Sequence, residues 1–318
     1  MEMNYTIVTE FVLLSFPHVH QLEIFLFMIF LTIYVLTLMG NTIILILIGT
    51  DYRLHTPMYF FLGNFSFLEI LITTVVMPKL LQNLLSDKKT ISFAGCLTQA
   101  YFYFFLGGAE FILIAAMSFD RYSAICNPLR YSNVMTRRVC VYIALGSWFG
   151  GFLANVLPTI IIYQLPFCGP NIINHFFCDS TPLLRLTCID AQLFEVIEFI
   201  NFFFATLVIM TSLLLTVVAY SFITVTILKI PSTQERQKAF STCATHITMA
   251  VLGYGSTIFL YVRPAKSTSL EFNKFVSVLN TMVTPVLNPF IFSLRNKKVH
   301  MVVRDAFNKR CCQTREQW

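Results

Sequence analysis

The sequence predicts an all-α membrane protein, a bundle of seven transmembrane helices followed by a short amphipathic C-terminal helix. Three observations carry that expectation. Of 318 residues, 56% are hydrophobic and only 12% charged, about half the charged share of a soluble domain. Apolar runs long enough to cross about 30 Å of hydrocarbon, roughly 20 residues each, recur seven times. Basic residues gather in alternate connections between those runs, the asymmetry that sets topology in membranes.

The stretch from Met1 to His20 holds no Lys or Arg and carries Glu2 and Glu10. It lacks the positive region of a signal peptide, so the first apolar run is expected to remain as an anchor. Residues 1–21 are read as an extracellular tail, with Asn4-Tyr5-Thr6 as a glycosylation acceptor. The spans follow as Leu22–Ile48, Pro57–Leu81, Cys96–Tyr122, Val139–Ile162, Leu193–Leu228, Ala239–Val262 and Phe272–Leu294. Asn64 and Glu69 interrupt the second. Residues 22–294 form the bundle, 295–318 a cytoplasmic tail, and the chain is one domain without repeats.

With the N-terminus outside, the cytosolic segments hold fifteen of the 22 basic residues, from Arg53 through Arg121, Arg130, Arg137 and Arg138 to the tail. The formal charge of +6 then faces anionic lipid rather than nucleic acid.

At the inner end of the third span stands Met117-Ser118-Phe119-Asp120-Arg121-Tyr122, continuing through Ile125-Cys126-Asn127-Pro128-Leu129-Arg130-Tyr131. An Arg at the membrane edge with a carboxylate beside it is a charge with two available partners. The segment resembles the third-helix signature of class A (rhodopsin-like) G-protein-coupled receptors in its odorant-receptor form, of the tetrapod-type class II branch. Leu54-His55-Thr56-Pro57-Met58-Tyr59-Phe60-Phe61-Leu62, Lys238-Ala239-Phe240-Ser241-Thr242-Cys243-Ala244-Thr245-His246 and Pro285-Val286-Leu287-Asn288-Pro289 resemble the same family in the same order.

The resemblance implies that Asp120 holds Arg121 at rest, and that the freed Arg121 meets a G protein when the sixth helix swings outward. Tyr122, Lys238, His246, Asn288 and Pro289 share that switch. It also implies a stimulatory, olfactory-type G protein that raises cAMP, a plasma-membrane location, and no cofactor. The chain departs from the family at Phe292, where a Tyr is usual, at Glu69, where an Asp is usual, and at Phe119.

Polar residues inside apolar helices are costly and face the bundle interior. Asn41, Glu69, Glu110 and Asn288 are expected to form a mid-membrane network. Glu110 lies 14 residues past Cys96, roughly 21 Å along a helix, and so below any ligand pocket. The pair Glu69 and Glu110 suits either a sodium or water cluster, as the resemblance implies, or two neutral acids bonded to each other.

Four of nine cysteines fall outside: Cys96, Cys168, Cys178 and Cys188. Extracellular thiols favour disulfides, and four allow three pairings. The resemblance selects Cys96 with Cys178 and Cys168 with Cys188. Cys311 and Cys312 follow a basic amphipathic stretch, Lys297–Arg310, and are expected palmitoylation sites. Cys126, Cys140 and Cys243 are expected to stay reduced.

The ligand is read from absences. Between Cys96 and Asp120 there is no Asp to hold an ammonium, and no Lys in the middle of the seventh span to bind retinal. The expected lining is Tyr103, Phe104, Gly107 and Gly108; Asn201, Phe204, Ala205 and Val208; Tyr254, Thr257, Ile258 and Tyr261; and Val278 and Thr281. Such a pocket suits a small, neutral, volatile molecule. A transporter would need inverted repeats or broken helix pairs, and an enzyme a nucleophile elbow or phosphate loop; the sequence offers none of these.

Overall fold

A computed structural model describes residues 8–14, 20–168, 170–261, 270–295, 299, 301–302 and 304–305. Seven helical runs dominate: α1 (His20–Thr50), α2 (Pro57–Leu85), α3 (Phe93–Cys126), α4 (Arg137–Gln164), α5 (Ala191–Leu228), α6 (Thr233–Tyr261) and α7. The last consists of Leu270–Val278, a π-wound turn Leu279–Val283 and Thr284–Arg295. Each of the first six is long and apolar enough to cross a membrane.

The helices outrun the apolar runs that predicted them, because capping chemistry rather than hydropathy sets their ends. Pro57 starts α2 at the position where a missing N–H costs nothing. Ser92 Oγ accepts the Gly95 N–H at 3.1 Å and Asp190 Oδ1 the Leu193 N–H at 2.7 Å, satisfying orphan donors at the starts of α3 and α5. The start of α6 is the largest difference: it begins at Thr233, not Ala239, since Gln234, Glu235 and Arg236 are polar yet good helix formers.

α3 is the central post, packed against α2, α4 and α5. Gly151 allows α4 to close on it: a Cβ there would stand 2.6 Å from the Phe105 carbonyl oxygen. Gly40 does the same for α1 and α7, where a Cβ would meet Pro289 Cγ at 2.8 Å. Outward-facing side chains such as Phe25, Phe149, Leu214 and Val251 are exposed, as lipid-facing positions should be.

Within the tail expected over residues 1–21, the described residues add a short strand to the helical bundle. Glu10–Leu13 is a strand, β1, pairing antiparallel with β2 (Thr90–Ser92) and parallel with β3 (Ile172–Ile173), in the order β2-β1-β3. Phe11 and Leu13 are fully buried in a cap with Ile91, Leu97, Ile173 and Leu183. His20 and Gln21 already belong to α1. The cap is covalently tied: Cys96 is bonded to Cys178 and Cys168 to Cys188, while Cys126, Cys140 and Cys243 are free thiols.

The amphipathic C-terminal helix falls mostly outside the described residues, as do Asn4, Cys311 and Cys312. Val299 and Val302 are described and buried against Leu54, Tyr59 and Leu62.

Candidate functional site

Two features share α3: a chambered cavity toward the disulfide end, and a charged cluster at the opposite end. The inner chamber, about 90 Å³, is lined by Tyr103, Phe104, Gly107 and Gly108 of α3, by Phe204, Ala205 and Val208 of α5, and by Thr257 and Tyr261 of α6. The outer chamber, about 1010 Å³, holds Asn201 and shares Phe104, Asn155, Phe204, Ala205 and Tyr261 with the inner one.

Other expected lining residues stand back from the inner chamber. Tyr254 is buried against Phe111, ring centroids 5.1 Å apart, with its hydroxyl 3.3 Å from Thr216 Oγ1. Thr281 lies behind Tyr103, hydroxyl to hydroxyl at 3.1 Å. Ile258 and Val278 pack against the main core. They sit one helical position off the chamber-facing stripe, which apolar periodicity alone does not distinguish from the core.

The expectation that Glu110 lies below any pocket is corrected: Glu110 and Glu69 both line the inner chamber. Beside Gly107 there is open space, so the chamber reaches deeper than its aromatic walls suggest. Glu69 accepts a hydrogen bond from Asn288 Nδ2. Asn41 Nδ2 instead donates to the carbonyl of Thr37 at 3.0 Å and reaches that of Pro285 at 3.5 Å. The network is therefore Glu69 with Asn288, and Asn41 beside the Pro285 carbonyl.

Sequence reasoning passed over Asn155 and Asn280. Asn155 Nδ2 donates to the carbonyls of Gly151 (2.9 Å) and Phe104 (3.1 Å), which fixes its amide at the junction of the chambers. Asn280 Oδ1 accepts from Ser256 Oγ at 2.8 Å at the π turn, where such irregularities gather in functional helices. A lone amide in an apolar helix was the available signal in both cases.

In the wall of the outer chamber, Tyr261 donates to Asp179 Oδ2 at 3.3 Å, joining α6 to the cap. Burial raises the Asp179 carboxyl above the usual carboxylate range. Burial, with the Lys274 charge nearby, lowers His175 to about 3, so the cap carries a neutral imidazole.

At the far end Asp120 binds Arg121, one contact being Arg121 Nε to Oδ2 at 3.0 Å. Tyr131 donates to the other oxygen, Oδ1, at 2.8 Å. Burial and that carboxylate push the Tyr131 phenol above its ordinary range. Tyr220 and His246 Nδ1 are bonded at 2.6 Å, within electrostatic reach of Arg121. Tyr122 packs against Phe222, centroids 5.8 Å apart. Pro289 touches Gly40. The side chain of Lys238 lies outside the described residues.

A family model described as olfactory receptor matches residues 30–310. The chain belongs to the olfactory receptor family. It is 52% identical over 307 residues to Olfactory receptor 6E1 of Mus musculus, covering 96% of this chain and 97% of that protein. It is 52% identical to Olfactory receptor 6J1 of Homo sapiens, over 94% of this chain and 86% of the relative. Olfactory receptor 9A4 of Homo sapiens is 48% identical over 98% of this chain and 99% of its own length. The receptor is thus a multi-pass membrane protein of a G-protein-coupled, non-enzymatic family.

Proposed function

We propose that this receptor sits in the plasma membrane with its N-terminus outside and binds small, neutral, mostly apolar volatile molecules in the chambered cavity. Binding activates a stimulatory, olfactory-type G protein and raises cAMP. The basic residues of the Arg121 end and the disulfides of the opposite end support this orientation. In this reading residues 1–318 act as one receptor domain. Asn4 is its glycosylation site, and Cys311 and Cys312 anchor the tail to the inner leaflet.

The observation that carries the reading is a mismatch of size. The inner chamber holds about 90 Å³, whereas even benzene occupies an engineered cavity of about 150 Å³. A ligand entering must move the walls, and a ligand that binds only the widened form shifts the population toward it. Among those walls are α3, α5 and α6, which also carry Arg121, Tyr220 and His246. Widening is thereby coupled to the Asp120–Arg121–Tyr131 cluster.

The test is cAMP in cells expressing the receptor, exposed to a panel of volatile alcohols, ketones, esters and terpenes. Arg121→Ala is expected to abolish every response that the wild type gives, at equal surface amount. A robust response retained by that variant would sink the mechanism.

A further inference from the structure

The outer half of α5 is the least packed wall of the bundle. From Ala191 to Val208 it buries one residue, Ile197; beyond that it buries Ile209, Ser212, Thr216, Ala219, Ile223 and Ile227, about one per turn. The outer chamber takes the place of packing. Its α5 lining includes Phe194, Glu198, Phe199, Asn201, Phe202 and Phe204. At 3.6 residues per turn these positions sweep about 220° of the helix circumference. A helix gripped by neighbours on both sides could not turn so much of itself toward a cavity.

Phe199 shows where that cavity ends. It lines the outer chamber and is 64% exposed. Its ring stacks on that of Phe203, centroids 6.4 Å apart, and Phe203 is exposed while lining neither chamber. The chamber wall therefore runs out onto the lipid-facing surface of α5. Across the gap, Pro158, Thr159 and Ile162 of α4 line the same chamber. Phe199 lies about 12 Å along α5 from its start, and Thr159 about 8 Å from the end of α4, so both rims lie at hydrocarbon depth in one leaflet. Over α3 and α4, by contrast, the cap seals the bundle with buried Phe11, Leu13, Phe167 and Leu183.

We propose that ligand reaches the inner chamber from the outer leaflet, through a lateral window between α4 and α5 rimmed by Thr159, Phe199 and Phe202. This rests on the odorant-receptor reading for its ligand class, lipophilic small molecules already dissolved in the membrane. Phe104, Asn155, Phe204, Ala205 and Tyr261, common to both chambers, form the passage inward. Glu195 and Glu198 line the same chamber, so the route disfavours anionic amphiphiles and leaves neutral molecules free to pass.

The test needs no odorant. Ala205→Cys in the full-length receptor places a thiol in the passage, with the unmodified receptor as background for its native cysteines. A membrane-partitioned maleimide is expected to label it about tenfold faster than a charged, impermeant maleimide added outside, rates being taken relative to each reagent's rate with a free thiol. Adding Thr159→Trp should slow the maleimide about tenfold, the mark of a barrier raised at the window, and Phe199→Ala should speed it. If Thr159→Trp does not reach the surface, Phe199→Ala decides alone. Equal rates for the two reagents, or rates indifferent to the rim substitutions, would overturn the window. Labelling is read without G protein or cAMP, so a receptor that labels as expected yet never signals would fail the functional reading alone.

Discussion

The two halves of α5 pack in opposite ways. Below Ile209 each turn buries a side chain against the bundle; above it, Ile197 stands alone. The same contrast runs through the whole molecule. The disulfide end has hollow walls under a covalently fastened roof. The Arg121 end is filled, and polar contacts that can be exchanged hold it together. On the proposed reading, this division puts room where a ligand would bind and a definite resting state where the signal would leave.

The largest expected effect strikes the fastened roof. Cys96→Ser or Cys178→Ser should abolish surface display, measured by antibody staining of intact cells. The bond pins the cap to α3 across 82 residues, a loop closure worth about 4 kcal/mol. Normal surface display of both variants would break the contrast, since the hollow walls would then stand unaided.

The next effect is one of pH. His175 titrates near 6.5 when unfolded and at about 3 in the cap. A histidine with a lowered folded pKa contributes stability above pH 6.5 that is lost as pH falls toward 3. Acidifying from pH 6.5 to 5 should cost about 2 kcal/mol, read as a falling melting temperature of purified receptor. Asp179, raised by burial, contributes in the opposite sense, so the comparison to make is with His175→Phe. That variant should lose the acid-side slope; equal slopes would dismiss the imidazole.

A smaller effect sharpens the view of the filled end. Tyr131→Phe removes one hydrogen bond from Asp120, and about 1 kcal/mol lost from the resting state corresponds to about fivefold more cAMP without ligand. Unchanged basal cAMP would show that the Tyr131 bond does not bias the switch. Smallest of all is the Arg53 contact with Asp305, an ion pair open to water. Arg53→Ala should leave the melting temperature where it was.

Much of this was legible in the residues. Seven apolar runs and the Asp120–Arg121 pair define the bundle and its charged end, because hydropathy and intramembrane charge leave few alternatives. The cap was not legible. Glu10–Leu13 is four residues joined by backbone hydrogen bonds to strands far along the chain, and no local pattern announces such partners. The depth of the cavity escaped for another reason. Distance along α3 places Glu110 correctly in height, but space is made by side chains that are missing, at Gly107 above all. Asn155 was overlooked because α4 was read only as a span, although an amide in such a helix must find a partner.

The placing of β1 in the middle of its sheet has a consequence for assembly. The earliest of the three strands along the chain must wait for Ile172 and Ile173, about 160 residues later, before its second edge is covered. Closing so long a loop is slow to reward the chain. The pairing of β1 with β3 therefore closes after its pairing with β2, although β1 precedes both partners along the chain.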